Sequence, residues 1–314
     1  MSKKREIVKN QHYVPKLYLR NFCKHKDQVA VYFKSSGTSF FTNIVNIANE
    51  NYFYDDDEID KSAQSIQVLE KYFHPLEDRM KIILNTLLNR LNASKYVGFS
   101  DDERIDISMF LVYQFMRTKE QREIFGQLNQ ELIQMYADEF IKSEGEDPTK
   151  YKVEIDGKYF HTRILLDESL MDKLTLSLYK KLWVILDNQT EMPFLTSDHP
   201  VVKYGHLGNE IRSMSGFNSR GVEISFPLSP KYLLSIIDEE YANSMIHLDD
   251  NVIKVDDQRV LHYNSLQIIK SYDQLFSNIN SFGLAKEILE EEPVLKDPNR
   301  SRVQHITNSS SRPL

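Results

Sequence analysis

Apolar residues recur along this chain with two different periods, and the change of period divides it. From Ser62 to Leu91, the positions Ile66, Leu69, Phe73, Leu76, Met80, Ile83, Leu84, Leu87 and Leu91 are spaced by three and four. That spacing places one apolar stripe along one face of a helix. Pro75 lacks an amide donor inside the run, so a kink or a split is expected there. Ser100-Asp101-Asp102-Glu103 has the serine-to-glutamate spacing of a capping box. The helix it opens is expected to reach about Phe125 and, past a break at Gly126, Lys142. Glu144 to Lys152 is polar and reads as a loop. Lys152 to Arg163 predicts a hairpin turning at Asp156-Gly157, with VEI and YFHTRI as its arms. Asp167 to Lys181 reads as a further helix, which makes residues 62–181 a helical middle.

Strand-like segments flank that middle. Val29 to Phe33 and Phe40 to Asn46 predict a hairpin across Ser35-Ser36-Gly37-Thr38, and Asn49 to Tyr54 a short extended piece. Asp55-Asp56-Asp57-Glu58 reads as an acidic turn carrying solvated charge. After Leu182 come Trp183–Asp187, Phe194–Thr196, Val201–Tyr204, Val222–Phe226 and Tyr232–Ile236, each short, apolar and bounded by turn residues. Helices are expected at Glu239–His247 and Asp256–Ser271. The order predicts an α+β fold: central long helices with an antiparallel or mixed sheet built from N-terminal and C-terminal strands. Residues 10–289 are expected to form a single domain, preceded by a basic arm over 1–9 and followed by a disordered tail over 290–314.

Composition narrows the class. The 314 residues are 41% hydrophobic and 27% charged, enough for a sizeable core. No apolar run approaches the roughly 20 residues a membrane-spanning helix needs, and a cytoplasmic location is expected. Cys23 is the only cysteine, which excludes an internal disulfide and a cysteine-cluster zinc site. A net charge of -7 argues against a protein that coats nucleic acid over its whole surface. The charge is uneven, however: residues 1–26 hold Lys3, Lys4, Arg5, Lys9, Lys16, Arg20, Lys24 and Lys26 against Glu6 alone, a stretch able to steer a polyanion locally. There is no glycine-rich phosphate loop, dinucleotide fingerprint, HExxH or GxSxG motif.

Three polar stretches carry candidate chemistry. In 11-QHYVPKLYLRNF-22, His12 can act as an acid, a base or a metal ligand, and Arg20 offers a two-pronged donor for phosphate. In 194-FLTSDHPVV-202, a buried strand is expected to run into a polar turn that aims Ser197 and Asp198. In 113-YQFMRTKEQR-122, Arg117 either meets an anion or pairs with Glu70, Glu77 or Glu120. The expectation is that His12 and Arg20 fold against Asp198 as catalytic residues, with Asn21, Ser197 and Arg117 binding substrate. The bland alternative makes the same residues a polar lock, with Asp198 capping the loop before Pro200.

The order HYVPKLYLRNF, NENYFY, the paired glutamates of 69-LEKYFHPLE-77, QFMRTKEQR, FLTSDHPVV, 226-FPLSPKYLL-234 and 263-YNSLQIIKS-271 resembles the bacterial and phage family called domain of unknown function 4238, over about residues 10 to 278. The resemblance implies that His12, Pro15, Arg20, Asn21 and Phe22 belong to an opening signature, and Thr196, Ser197, Asp198 and Pro200 to a downstream one. His199 stands where the family often has asparagine, and Lys119 where a proline is common. The resemblance implies no particular reaction. The residues favour a phosphodiester hydrolase, a nuclease or nucleotide-processing enzyme, with Mg²⁺ or Mn²⁺ as a candidate cofactor and nucleic acid or a nucleotide as its partner. The family's occurrence implies a role in conflict between bacteria and phages. The alternative is a non-catalytic module that binds nucleic acid, a nucleotide or a protein.

Overall fold

The structure, a computed structural model, describes residues 7–93, 97–207 and 216–303. The chain opens with β1 (Asn10–His12), α1 (Lys16–Leu19) and a 3₁₀ turn over Arg20–Phe22. The hairpin β2 (Gln28–Phe33) and β3 (Thr38–Asn43) follows, then β4 (Asn49–Asn51). The helical middle comprises α2 (Asp57–Ser62), α3 (Val68–Ala93), α4 (Asp101–Met116), α5 (Lys119–Ser143), α6 (Gly157–Leu165) and α7 (Glu168–Tyr179). The last part holds β5 (Leu182–Asn188), β6 (Thr196–Ser197), β7 (Val202–Gly205), β8 (Val222–Pro227), β9 (Tyr232–Ile237), β10 (Asn251–Val255), α8 (Asp257–Lys270), β11 (Gln274–Ser277) and α9 (Gly283–Glu291).

The fold is α+β. β1 pairs with β4, and a four-stranded antiparallel sheet in the order β3-β2-β11-β6 joins strands from both ends of the chain. A five-stranded sheet, β10-β5-β9-β8-β7, is antiparallel except where β10 runs parallel to β5. Alternate residues of β8 face opposite ways. Val222, Ile224 and Phe226 enter the main core with Trp183, Phe110, Tyr18 and the apolar face of α3, while a second core of Val184, Leu186, Leu233 and Ile237 lies on the other face of the sheet. No helix among the described residues is long and apolar enough to cross a membrane.

Several elements depart from expectation. The region read as a 152–163 hairpin contains α6 instead. Asp156 accepts from the Lys158 amide at 2.8 Å and caps a helix start, and a Cβ built on Gly157 would lie 3.1 Å from Gly126 Cα. Gly126 therefore marks a close helix crossing and not a break, and α5 continues through it. The real interruption is at Arg117-Thr118, where the Thr118 hydroxyl accepts from the Gln121 amide and starts α5. α3 runs through Pro75 but begins at Val68, because the Asp60 carboxylate accepts from the amides of Gln67 and Val68 and ends the preceding segment. The acidic turn is not merely solvated: Asp55 accepts from Gln11 at 2.6 Å, and Asp56 caps α2 and pairs with Arg163 at 2.7 Å. A 3₁₀ segment over Asn243–Leu248 replaces the helix expected from Glu239, and β10 and β11 are additional.

The tail read as disordered is ordered as far as it is described. α9 leads into a 3₁₀ turn over Pro293–Lys296, and Arg300 donates to both oxygens of the buried Glu120 at 3.2 Å. Arg302 approaches the same carboxylate at 3.0 Å. A polar composition predicted disorder, and two arginines against one buried glutamate overrode it. Residues 304–314 and most of the basic arm lie outside the described residues.

Candidate active-site cleft

β1 and α1 present two faces. On the inner face, Tyr18 donates to Pro227 O at 2.8 Å and lies 2.6 Å from the Thr196 hydroxyl, which ties the opening signature to the downstream one. On the outer face, Lys16 and Arg20 are exposed. Pairing of β1 with β4 sets His12 opposite Asn49, and His12 Nε2 lies 3.3 Å from both Ile44 O and Asn49 Nδ2.

The outer face of this segment and the first half of α3 enclose a cleft of about 480 Å³, lined by His12, Lys16, Arg20, Glu70, Glu77 and Lys81 among others. Glu70 and Glu77 are seven residues apart, close to two helical turns, so one face of α3 presents both. Burial, followed by the charges of Lys16 and Arg117, lowers the His12 pKa to about 4, so the imidazole is neutral at pH 7. Burial raises the Glu70 carboxyl above its ordinary range, against the pull of Arg117. Arg117 is 1% exposed, donates to Glu77 at 2.8 Å and to Gln114 Oε1 at 3.1 Å, and lies over the Phe73 ring. Its Nη2 has no hydrogen-bond partner among the described residues, nor has Asn21 Nδ2. Arg20 pairs at its exposed edge with Asp27 at 3.1 Å.

Asp198 lies apart from this cleft. Its Oδ1 accepts from the Tyr272 amide at 2.8 Å, and its Oδ2 from the Asp273 and Gln274 amides at 2.8 and 2.7 Å. It is 0% exposed, and among the described residues it makes no bond to His12 or Arg20. Burial pushes its carboxyl up to about 6, against the three amides and the Lys34 ammonium. Ser197 donates to Gln267 Oε1 at 2.6 Å, and Gln267 in turn donates to Pro200 O at 2.9 Å. His199 Nδ1 lies 2.7 Å from the Thr118 hydroxyl. The structure therefore brings His12, Arg20 and the Glu77–Arg117 pair to one place, and holds Asp198 and Ser197 in a closed polar knot between β6 and the turn before β11. The expected triad of His12, Arg20 and Asp198 does not form, because main-chain amides already occupy the carboxylate.

Sequence reasoning singled out Arg117 and gave Glu70 and Glu77 as its candidate partners and as the paired glutamates of a family segment, but not as site residues. Their i, i+7 spacing around Pro75 was the available signal. Among the described residues no group of three or more His, Cys, Asp or Glu side chains is arranged to hold a metal ion. Of the carboxylates lining the cleft, Glu77 is already paired with Arg117, so the described residues offer no built metal site there.

Neither the curated proteins nor the solved structures contain a match to this chain. A family model described as a protein of unknown function (DUF4238) matches residues 10–281, most of the chain, including every residue of the polar knot and all of the cleft lining but Val8. The chain belongs to the DUF4238 family of proteins of unknown function.

Proposed function

We propose that the chain is a hydrolase acting on phosphodiester bonds in a nucleotide or nucleic acid, with the His12 cleft as its active centre. One observation carries the reading: His12 and Arg20 from the opening signature, Glu70 and Glu77 from α3, and Arg117 behind Glu77 meet around a single cleft. Lys16 and Arg20 take the phosphate charge, Arg20 through a fork of parallel donors. Glu70 moves the proton, since a carboxyl raised by burial is a better acid–base group near neutral pH. His12, neutral at pH 7 and tied through Nε2 to Ile44 O and Asn49, forms the polar wall against which the substrate lies. Arg117 fixes Glu77 and is a positioning residue.

The test follows degradation of labelled RNA, DNA and linear dinucleotides with Mg²⁺, Mn²⁺ or EDTA, using wild type, Glu70→Gln and Arg20→Ala, with a melting curve for each. Turnover by wild type is expected to fall roughly 10²-fold or more in Glu70→Gln, at an unchanged melting temperature. No turnover by wild type under any condition, or turnover at the wild-type rate in both variants, rejects the hydrolase.

A second reading is a non-catalytic module for nucleic acid, a nucleotide or a protein partner. It is favoured by the arginines already having carboxylate partners, Arg20 with Asp27 and Arg117 with Glu77. Binding that weakens in Arg20→Ala while wild type turns nothing over selects it.

A further inference from the structure

A second cavity, of about 590 Å³, opens over the other face of the five-stranded sheet, between that sheet and α8. Its polar floor is Glu223 of β8, only 2% exposed. Strand alternation puts Glu223 on the face opposite Ile224 and Phe226, against the second core. A buried carboxylate there needs donors, and it has three. Ser235 and Tyr263 donate to Oε1 at 2.6 Å each, and His206 Nε2 lies 2.6 Å from Oε2. Burial works to raise the Glu223 carboxyl, but these donors outweigh it and hold it below the ordinary range. An ionised carboxylate accepts about four hydrogen bonds, so one position on Oε2 is open.

The rest of the cavity differs from its floor. Val184, Leu186 and Ile253 make an apolar wall. Tyr241, also lining the cavity, stacks on the His206 ring at 4.8 Å and holds it in place. Lys254 and Arg259 stand at the exposed rim with Asp256 between them; among the described residues neither cation forms an ion pair, and the Asp256 carboxylate accepts from the Arg259 amide. A buried acceptor, an apolar middle and a rim of two unpaired cations against one carboxylate engaged as a helix cap select a ligand by order: donor first, ring or hydrocarbon next, acid last. A volume in this range suits a small organic molecule.

We propose that this cavity is a second ligand site, separate from the His12 cleft, for an acidic small molecule whose apolar body carries a hydrogen-bond donor at the end remote from the acid. Glu223 receives the donor, and Arg259 with Lys254 takes the acid. Two sources share that chemistry, a nucleoside monophosphate and an aryl carboxylic acid. Calorimetric titration of the full chain with 5′-GMP and with 4-hydroxyphenylacetate distinguishes them.

At least one probe is expected to bind wild type saturably. Arg259→Ala, at the exposed rim, is expected to weaken it about tenfold, and Glu223→Gln by as much or more. Arg20→Ala, in the other cleft, is expected to leave it unchanged, so the site stands or falls apart from the hydrolase reading. Should Glu223→Gln melt early, Arg259→Ala and an Arg259→Lys variant that restores part of the affinity carry the test. Failure of both probes to bind at about 1 mM, binding indifferent to Arg259→Ala, or binding lost in Arg20→Ala overturns the proposal.

Discussion

Asp198 shows how one buried side chain can look catalytic and be structural. A carboxylate at the end of a strand, followed by a histidine and a proline, has the types that reactions use. Its oxygens, however, accept three consecutive amides at 272–274, so it closes the turn that feeds β11 back beside β6. Asp198→Asn retains the shape but turns a donor toward those amides. It is expected to cost about 3 kcal/mol, read as a lower urea midpoint with unchanged slope. Turnover per folded molecule at the His12 cleft is expected to stay near wild type. Loss of turnover in a fully folded Asp198→Asn protein would return this residue to the active site.

The α5–α6 crossing depends on two glycines that look like turn signals. Gly126 lies inside α5 and Gly157 at the start of α6, where a Cβ would sit 3.1 Å from Gly126 Cα. Gly157→Ala forces the helices apart and is expected to destabilise by roughly 1–2 kcal/mol despite the better helix propensity of alanine. A Cβ on Gly126 meets Gly157 Cα at 3.4 Å, so Gly126→Ala is expected to be milder. Thermal unfolding of the two variants checks the order, and the reverse order would mean that α6 is placed by other contacts. Asp156, which caps α6, was legible as a turn-former beside a glycine. Whether that turn opened a strand or a helix depended on the surface waiting for it on α5.

Acid stability brings distant parts of the molecule together. Burial lowers the pKa of His12 to about 4 and those of His161 and His199 to about 3. Each folded pKa lies below the unfolded value near 6.5, so between pH 6.5 and about 4 the unfolded chain binds protons that the native state refuses. Stability from these three groups is complete above pH 6.5 and is lost as pH falls through the folded values. The slope approaches about 1.4 kcal/mol per pH unit for each histidine. Urea midpoints measured from pH 7 to pH 4.5 are expected to fall, less steeply below about pH 6, where the raised Asp198 carboxyl takes up a proton in the native state. His199→Gln is expected to remove one histidine's share of the slope. A midpoint flat across that window would show that the imidazoles are charged in the fold.

What a residue's near neighbours decide was legible from order alone: the apolar stripe of α3, the Ser100–Glu103 capping box, the β2–β3 hairpin, α8 and the α+β class. Helix faces, caps and hairpin turns are settled within a few residues, and the motif order was sufficient to indicate the family. The site was legible as a set of residue types, with His12, Arg20 and Arg117 in it, but not as a grouping. Only the packed chain determined that Arg117 turns to Glu77, that amides 74 to 76 residues further on claim Asp198, and that Arg300 closes on Glu120 from the far end. A buried charge takes whatever partner the fold brings within hydrogen-bond distance, and the fold sets that distance through contacts remote in the chain.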